Sequence, residues 1–125
     1  MISLDLKSGL PIYEQLKRNI VRLVAIGAAK GGDQLPSVRS LARSLGINPN
    51  TVQKAYQDME KEGLILSVVG KGSFFSDRNV ILEKSKSDFL GAFGKQIKEA
   101  VALKIEKAEL SAVIDKVYLE VDANA

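Results

Sequence analysis

The chain contains no cysteine and no histidine. Without cysteine there is neither a disulfide framework nor a thiolate zinc site. Without histidine the usual general base and the commonest metal ligand are both gone. Catalysis through carboxylates or lysine stays open, yet no nucleophile–base pair, phosphate loop or metal-ligand set stands in the sequence, so neither an enzyme nor a cofactor or metal is expected. No apolar run approaches the roughly 20 residues that a membrane helix needs. The start, Met-Ile-Ser-Leu-Asp-Leu-Lys, lacks the basic n-region and long apolar h-region of a signal peptide. No membrane association and a cytoplasmic location are the resulting expectations.

One further absence is local. From Gln34 through Gln57 there is no acidic residue, while Arg39, Arg43 and Lys54 fall inside. The net charge of the 125 residues is only +3, but it is unevenly spread. Residues 1–78 hold 11 Lys/Arg against 7 Asp/Glu, and residues 79–125 hold 7 against 8. A surface that faces phosphates needs such a gap in acids. With 46% hydrophobic residues the chain can bury one small core and carry an appendage.

The pattern expected along the chain is mainly α with a small β-hairpin. Pro11 opens an amphipathic stretch in which Ile12, Leu16, Ile20, Leu23 and Val24 recur at helical spacing, giving a helix over about 11–26. Ser37 is a good N-cap, and Val38, Leu41, Ala42 and Leu45 form one stripe that ends at Gly46. Asn48 caps a third helix with Pro49 in its first position. Val52, Ala55, Tyr56 and Met59 form the buried stripe, and Gly63 stops it. Two helices joined by a tight turn containing glycine make a helix-turn-helix. Leu64–Val69 and Ser73–Ser76 flank Gly70-Lys71-Gly72 and read as a hairpin. Helix, helix, helix, hairpin is the order of a winged helix.

The third helix shows solvent Asn50, Thr51, Gln53, Lys54 and Gln57. The major groove of B-DNA admits an α-helix and offers each base pair a distinct donor and acceptor pattern. Amides can read those edges, where surplus positive charge would only grip the backbone. Ser37, at the start of the second helix, leaves N–H groups for a phosphate. Arg39 suits a phosphate or a base, and Arg43 lies one turn on. In the hairpin tip, Gly70 and Gly72 permit close approach, and Lys71 can meet a phosphate or the minor groove. Each feature also has a plainer reading as a solvated helix face, a surface ion pair or an ordinary hairpin tip.

"QLPSVRSLARSLGINPNTVQKAYQDMEKEGLILSVVGKGSFFS", with "PIYEQL" upstream, resembles the DNA-binding domain of the GntR family of bacterial transcription regulators. The Asn-Pro-Asn-Thr-Val-Gln-Lys-Ala-Tyr form and the short tail resemble its YtrA subfamily. The resemblance implies a winged helix-turn-helix over 1–78 and a two-helix dimerisation segment over 79–125, in a regulator often encoded beside membrane transporters. It places DNA contacts at Arg39, Asn48, Asn50, Thr51 and Gly70. Other subfamilies often carry arginine where this chain has Pro49 and Gln53, so their base preference does not transfer. Gly31 stands where the family often has proline, a change expected to affect loop stiffness only.

Beyond Asp77-Arg78-Asn79 the pattern is helical again. Leu90, Phe93, Ile97, Val101 and Ile105 line one face, and Leu110, Val113, Ile114, Val117 and Val121 another, with a break near 105–109. Such stripes, of which Leu90, Phe93, Ile97, Val101, Ile105, Val113, Ile114 and Val117 are the candidate dimer contacts, should pair with a second copy, the plainer alternative being that they pack on their own winged domain. A two-fold homodimer would set two recognition helices on the half-sites of a palindromic operator. An unidentified small-molecule effector between the copies is conceivable, with Phe89 and Phe93 available to line its site or simply to pack. The expectation is a sequence-specific DNA-binding regulator, most simply a repressor. The competing expectation is a winged-helix protein–protein interaction module that does not bind DNA.

Overall fold

The computed structural model describes residues 2–125. Contacts divide them into two units, one through Lys86 and one from Ser87.

The first unit holds helices α1 (Ile12–Ala25), α2 (Val38–Leu45) and α3 (Pro49–Lys61), then strands β1 (Ile65–Val68) and β2 (Gly72–Phe75). Pro11 proves to be the N-cap of α1 and not its first residue. The chain entering α1 is tied down by Gln15, a buried amide. Its Nε2 donates to the carbonyls of Asp5 and Leu10 at 3.0 and 2.9 Å, and its Oε1 accepts the Asp5 N–H at 2.7 Å. Ser37 Oγ accepts the Ser40 N–H at 3.0 Å, and Gly46 ends α2 in the left-handed region at φ 70°. Only glycine takes that conformation at no steric cost. Asn48 Oδ1 then accepts the Asn50 N–H at 2.8 Å, with Pro49 in the first turn of α3.

The four side chains expected to face inward from α3, Val52, Ala55, Tyr56 and Met59, are all buried. They meet Leu41 and Ala42 of α2, Leu16, Ile20 and Val24 of α1, and Leu64, Ile65 and Phe75 of the hairpin in one core. The hairpin is antiparallel, pairing Ile65 with Phe75 and Val68 with Gly72. It is seated on the domain by a third, short segment. Leu35 N–H donates to the Ser73 carbonyl at 2.8 Å, Phe75 N–H to the Asp33 carbonyl at 2.9 Å, and Gly32 N–H to the Phe75 carbonyl at 2.9 Å. One expectation fails beside it. A Cβ on Gly31 would lie 3.0 Å from Asp77 Cα and 3.2 Å from the Ser76 carbonyl oxygen. The glycine therefore admits a close backbone approach, and its place is not a matter of loop stiffness alone.

Helix α4 (Arg78–Ala102) begins straight after the wing, with Asp77 Oδ1 accepting the Asn79 N–H at 2.9 Å. Its Ile81 is fully buried in the first core, and Arg78 donates to the Val24 and Ala25 carbonyls at the end of α1. The opening turns of α4 thus belong to the winged domain, which is why the division falls after Lys86 and not at residue 78.

The second unit consists of the rest of α4 and α5 (Lys107–Ala123). The break comes slightly earlier than expected, over residues 103–106. Lys104 N–H donates to the Val101 carbonyl and Ile105 N–H to the Ala100 carbonyl, both at 3.0 Å. This is a Schellman ending, with Lys104 as its left-handed residue at φ 62°. Glu106 N–H then donates to Glu109 Oε2 at 2.9 Å and starts α5. Phe93, Ile97 and Ala100 of α4 face Leu110, Val113 and Ile114 of α5 across an apolar cavity of about 170 Å³. Ala100 is buried, but no residue of α5 is.

A side chain in the left-handed region costs energy that glycine avoids, partly offset by the greater freedom of glycine in the unfolded chain. Lys104→Gly should therefore raise the unfolding free energy by about 0.5–1 kcal/mol. Urea unfolding at fixed protein concentration checks this. An equal or lower midpoint would show that the lysine side chain offsets the strain.

Candidate nucleic-acid interface

Because α3 buries one stripe, its opposite face is turned to solvent. Asn50, Gln53, Lys54 and Gln57 are exposed, and Thr51 is half-buried at the edge. Asn50, Thr51 and Lys54 line one open groove with Ile12 and Tyr13 of α1 and with Asp58. Asn48 is also exposed, but its Oδ1 is committed to the helix cap. Arg39 and Arg43 stand one turn apart on the exposed side of α2. Ser37, at the head of α2, shares a second groove with the wing residues Gly70, Lys71 and Gly72. The candidates thus form two groups, recognition helix and wing. Arg39, Arg43, Asn48 and Gln53 line neither groove and lie on open surface.

Three positioning devices escaped the sequence reading. Gln34 Nε2 donates to the Lys71 carbonyl at 2.9 Å, bracing the wing tip against the segment before α2. Gly72, at φ 116°, passes so close that a Cβ there would lie 2.8 Å from the same Gln34 nitrogen. The conformation favours glycine there, and a Cβ would displace the Gln34 amide that braces the wing. Second, the Tyr56 hydroxyl donates to the Pro36 carbonyl at 2.8 Å, tying α3 to the entrance of α2. Third, Lys17 Nζ lies 3.1 Å from Glu62 Oε2 and joins α1 to the end of α3. These partners are 37, 20 and 45 residues apart, beyond any local pattern.

Burial pushes the Tyr56 hydroxyl up to about 12 from its ordinary value of 10.0. Tyr13 is also raised, first by burial, then by its hydrogen bond to the Glu62 carboxylate and by the charges of Glu62, Glu14 and Asp58. Among the described residues no cluster of His, Cys, Asp and Glu could hold a metal ion. Nor is any described helix long and apolar enough to cross a membrane.

Residues 12–75, spanning all three helices and the hairpin, match the family described as bacterial regulatory proteins, gntR family. The chain belongs to the GntR family. The matched part is a winged helix-turn-helix domain. Over 77 residues it is 47% identical to the HTH-type transcriptional repressor YtrA of Bacillus subtilis, a match covering 62% of this chain and 59% of YtrA. The chain therefore spans about three-fifths of the length of that relative. A GntR family transcriptional regulator from Listeria monocytogenes superposes with a TM-score of 0.72 at 32% identity, over 90% of this chain and 98% of the other. The DNA-binding domain of AraR in complex with operator ORX1 superposes with a TM-score of 0.51 at 29% identity, over 58% of this chain and 90% of that domain. The family, the hairpin and the helices beyond it fit the fold expected from the sequence.

In this GntR-family domain, Tyr56→Phe should cost about 1–2 kcal/mol, since the Pro36 carbonyl is left without its donor. The pH dependence has a definite sign. Tyr56 holds its proton more tightly folded than unfolded, so its contribution is complete below pH 10 and is lost as pH climbs toward 12. The stability gap between wild type and Tyr56→Phe should narrow across that window in denaturant titrations. All other groups are common to the two proteins, so their contributions cancel in the difference.

Proposed function

We propose that this GntR-family chain is a sequence-specific transcriptional repressor that binds a palindromic operator as a homodimer. The observation that carries the reading is the division of α3, with its apolar stripe buried and its amide face open. Asn50, Thr51, Gln53 and Lys54 read base edges in the major groove. Asn48 orders the first turn beside them. Ser37, Arg39 and Arg43 of α2 hold phosphates and set register. Gly70, Lys71 and Gly72 bring the wing to the neighbouring backbone or minor groove. The likeness to a domain solved on its operator supports this assignment.

The second unit supports the homodimer. Leu90, Val101, Val113 and Val117 stand 66%, 66%, 58% and 47% exposed, with Ile97 and Ile114 also open and Phe93 and Ile105 half-covered. Two short helices presenting so much apolar surface gain most by covering it with a second copy. Two linked half-site contacts then multiply affinity. Action inside the cytoplasm, control of a transporter operon and response to a small-molecule effector are finer parts of the proposal. Of these, the transporter operon rests on the family resemblance.

The test is selection from a random duplex pool followed by binding measured against salt. A two-fold symmetric sequence should be enriched, and its affinity should fall about 10³–10⁵-fold between 50 and 200 mM salt if six to ten phosphates are engaged. No preference over random duplex would overturn the proposal and favour a protein-binding module.

The dimer is tested by sedimentation equilibrium. Ile97→Glu combined with Val117→Glu should yield a monomer that keeps its winged domain folded. Its operator affinity should drop by about 10²-fold or more. An unchanged mass would place the interface elsewhere.

A further inference from the structure

The acid-free stretch ends at Gln57, and three acids follow, Asp58 and Glu60 in the last turn of α3 and Glu62 at its C-cap. Each is matched by a group of the protein itself. Glu60 Oε2 accepts the Ser67 hydroxyl at 2.9 Å. Glu62 is paired with Lys17 at 3.1 Å. Asp58 differs, because its partner is one of the residues assigned to DNA. Lys54 Nζ donates to Asp58 Oδ1 at 3.1 Å, one helical turn apart, with side chains 68% and 32% exposed. Both line the groove that holds Asn50 and Thr51. A carboxylate at the rim of a surface built for a polyanion repels it, so its place there needs a reason.

We propose that Asp58 is a specificity-determining residue that holds Lys54 in a neutral pair, offering its ammonium to a base edge and withholding it from stray phosphates. This rests on α3 being the DNA-reading helix. An unpaired lysine gains affinity for any duplex, because each neutralised phosphate releases a counterion whatever the sequence. A paired lysine has no net charge to contribute to that term. Its ammonium carries three donors, so the bond to Asp58 leaves two for acceptors such as guanine O6 and N7. Asp58 also fixes where those donors point. Specificity is a difference of affinities, and it rises when the wrong partner is penalised. Asp58 applies that penalty to every phosphate and returns it as orientation only where the base fits.

The full-length chain is tested as wild type, Asp58→Asn, Asp58→Glu, Lys54→Gln and the Lys54→Gln/Asp58→Asn double variant. The probes are a duplex selected by the wild type and a random-sequence duplex of equal length. Asp58→Asn should bind the random duplex about ten-fold tighter, with a log–log salt slope steeper by about one per protomer. It should gain far less on the selected duplex, so the ratio of the two affinities falls. Asp58→Glu, which retains a carboxylate one turn from Lys54, should keep the wild-type ratio. With Lys54→Gln in place, Asp58→Asn should leave the ratio where Lys54→Gln alone sets it. Circular dichroism should show all variants folded, since both side chains lie at the surface.

An unchanged ratio in Asp58→Asn overturns the inference, and so does an equal fall without Lys54. In that case the carboxylate is a general repellent or a helix-surface partner. A wild type that prefers no duplex at all would instead overturn the DNA-binding reading, before any variant is compared.

Discussion

The working surface of α3 depends on what the helix buries. A thirteen-residue helix is marginal on its own in water. Val52, Ala55, Tyr56 and Met59 supply what is missing. Each buried side chain of the size of valine or methionine contributes about 1.5–3 kcal/mol relative to exposure. All four sit on one stripe, and the Tyr56 hydroxyl fastens that stripe to the chain entering α2. The outward positions are thereby released from any duty to hold the helix together. They can carry amides, whose paired donors and acceptors suit base edges. The buried stripe and the proposed recognition face occupy opposite sides of the same four turns.

The same separation governs charge. Arg39, Arg43 and Lys54 stand in a stretch without acids, and the acids that follow, Asp58, Glu60 and Glu62, are answered by Lys54, Ser67 and Lys17. The overall charge of +3 says little about this arrangement. Placement decides the field that an approaching duplex meets. A modest sum is compatible with a strongly local surface.

Much of the winged domain was legible because its signals are local. The caps Ser37 and Asn48, Pro49 in a first turn, Gly46 after α2 and the stripe 52–55–56–59 each act within a few residues. The candidate residues of α3, Asn50, Thr51, Gln53 and Lys54, follow the same way, from the face left over once the stripe is assigned. What was not legible depends on distant partners or on residues breaking their own habit. No local rule pairs Gln34 with the carbonyl of Lys71, or Lys17 with Glu62. The end of α4 is marked by a lysine in a left-handed conformation, where the usual marker is glycine. The unit boundary falls inside a continuous helix because Ile81 reaches back into the first core. An outward polar pattern cannot reveal such a reach.

Gly31 touches the backbone at residues 76–78, where the wing hands over to α4. Two stretches more than forty positions apart are thereby matched as a lock is to its key. Joining another protein's tail to this wing would put the seam at that contact. Here a donor segment whose native neighbour bears a Cβ at position 31 arrives shaped for a wider gap. The seam of such a graft must carry both stretches together, and natural divergence at one should be accompanied by change at the other.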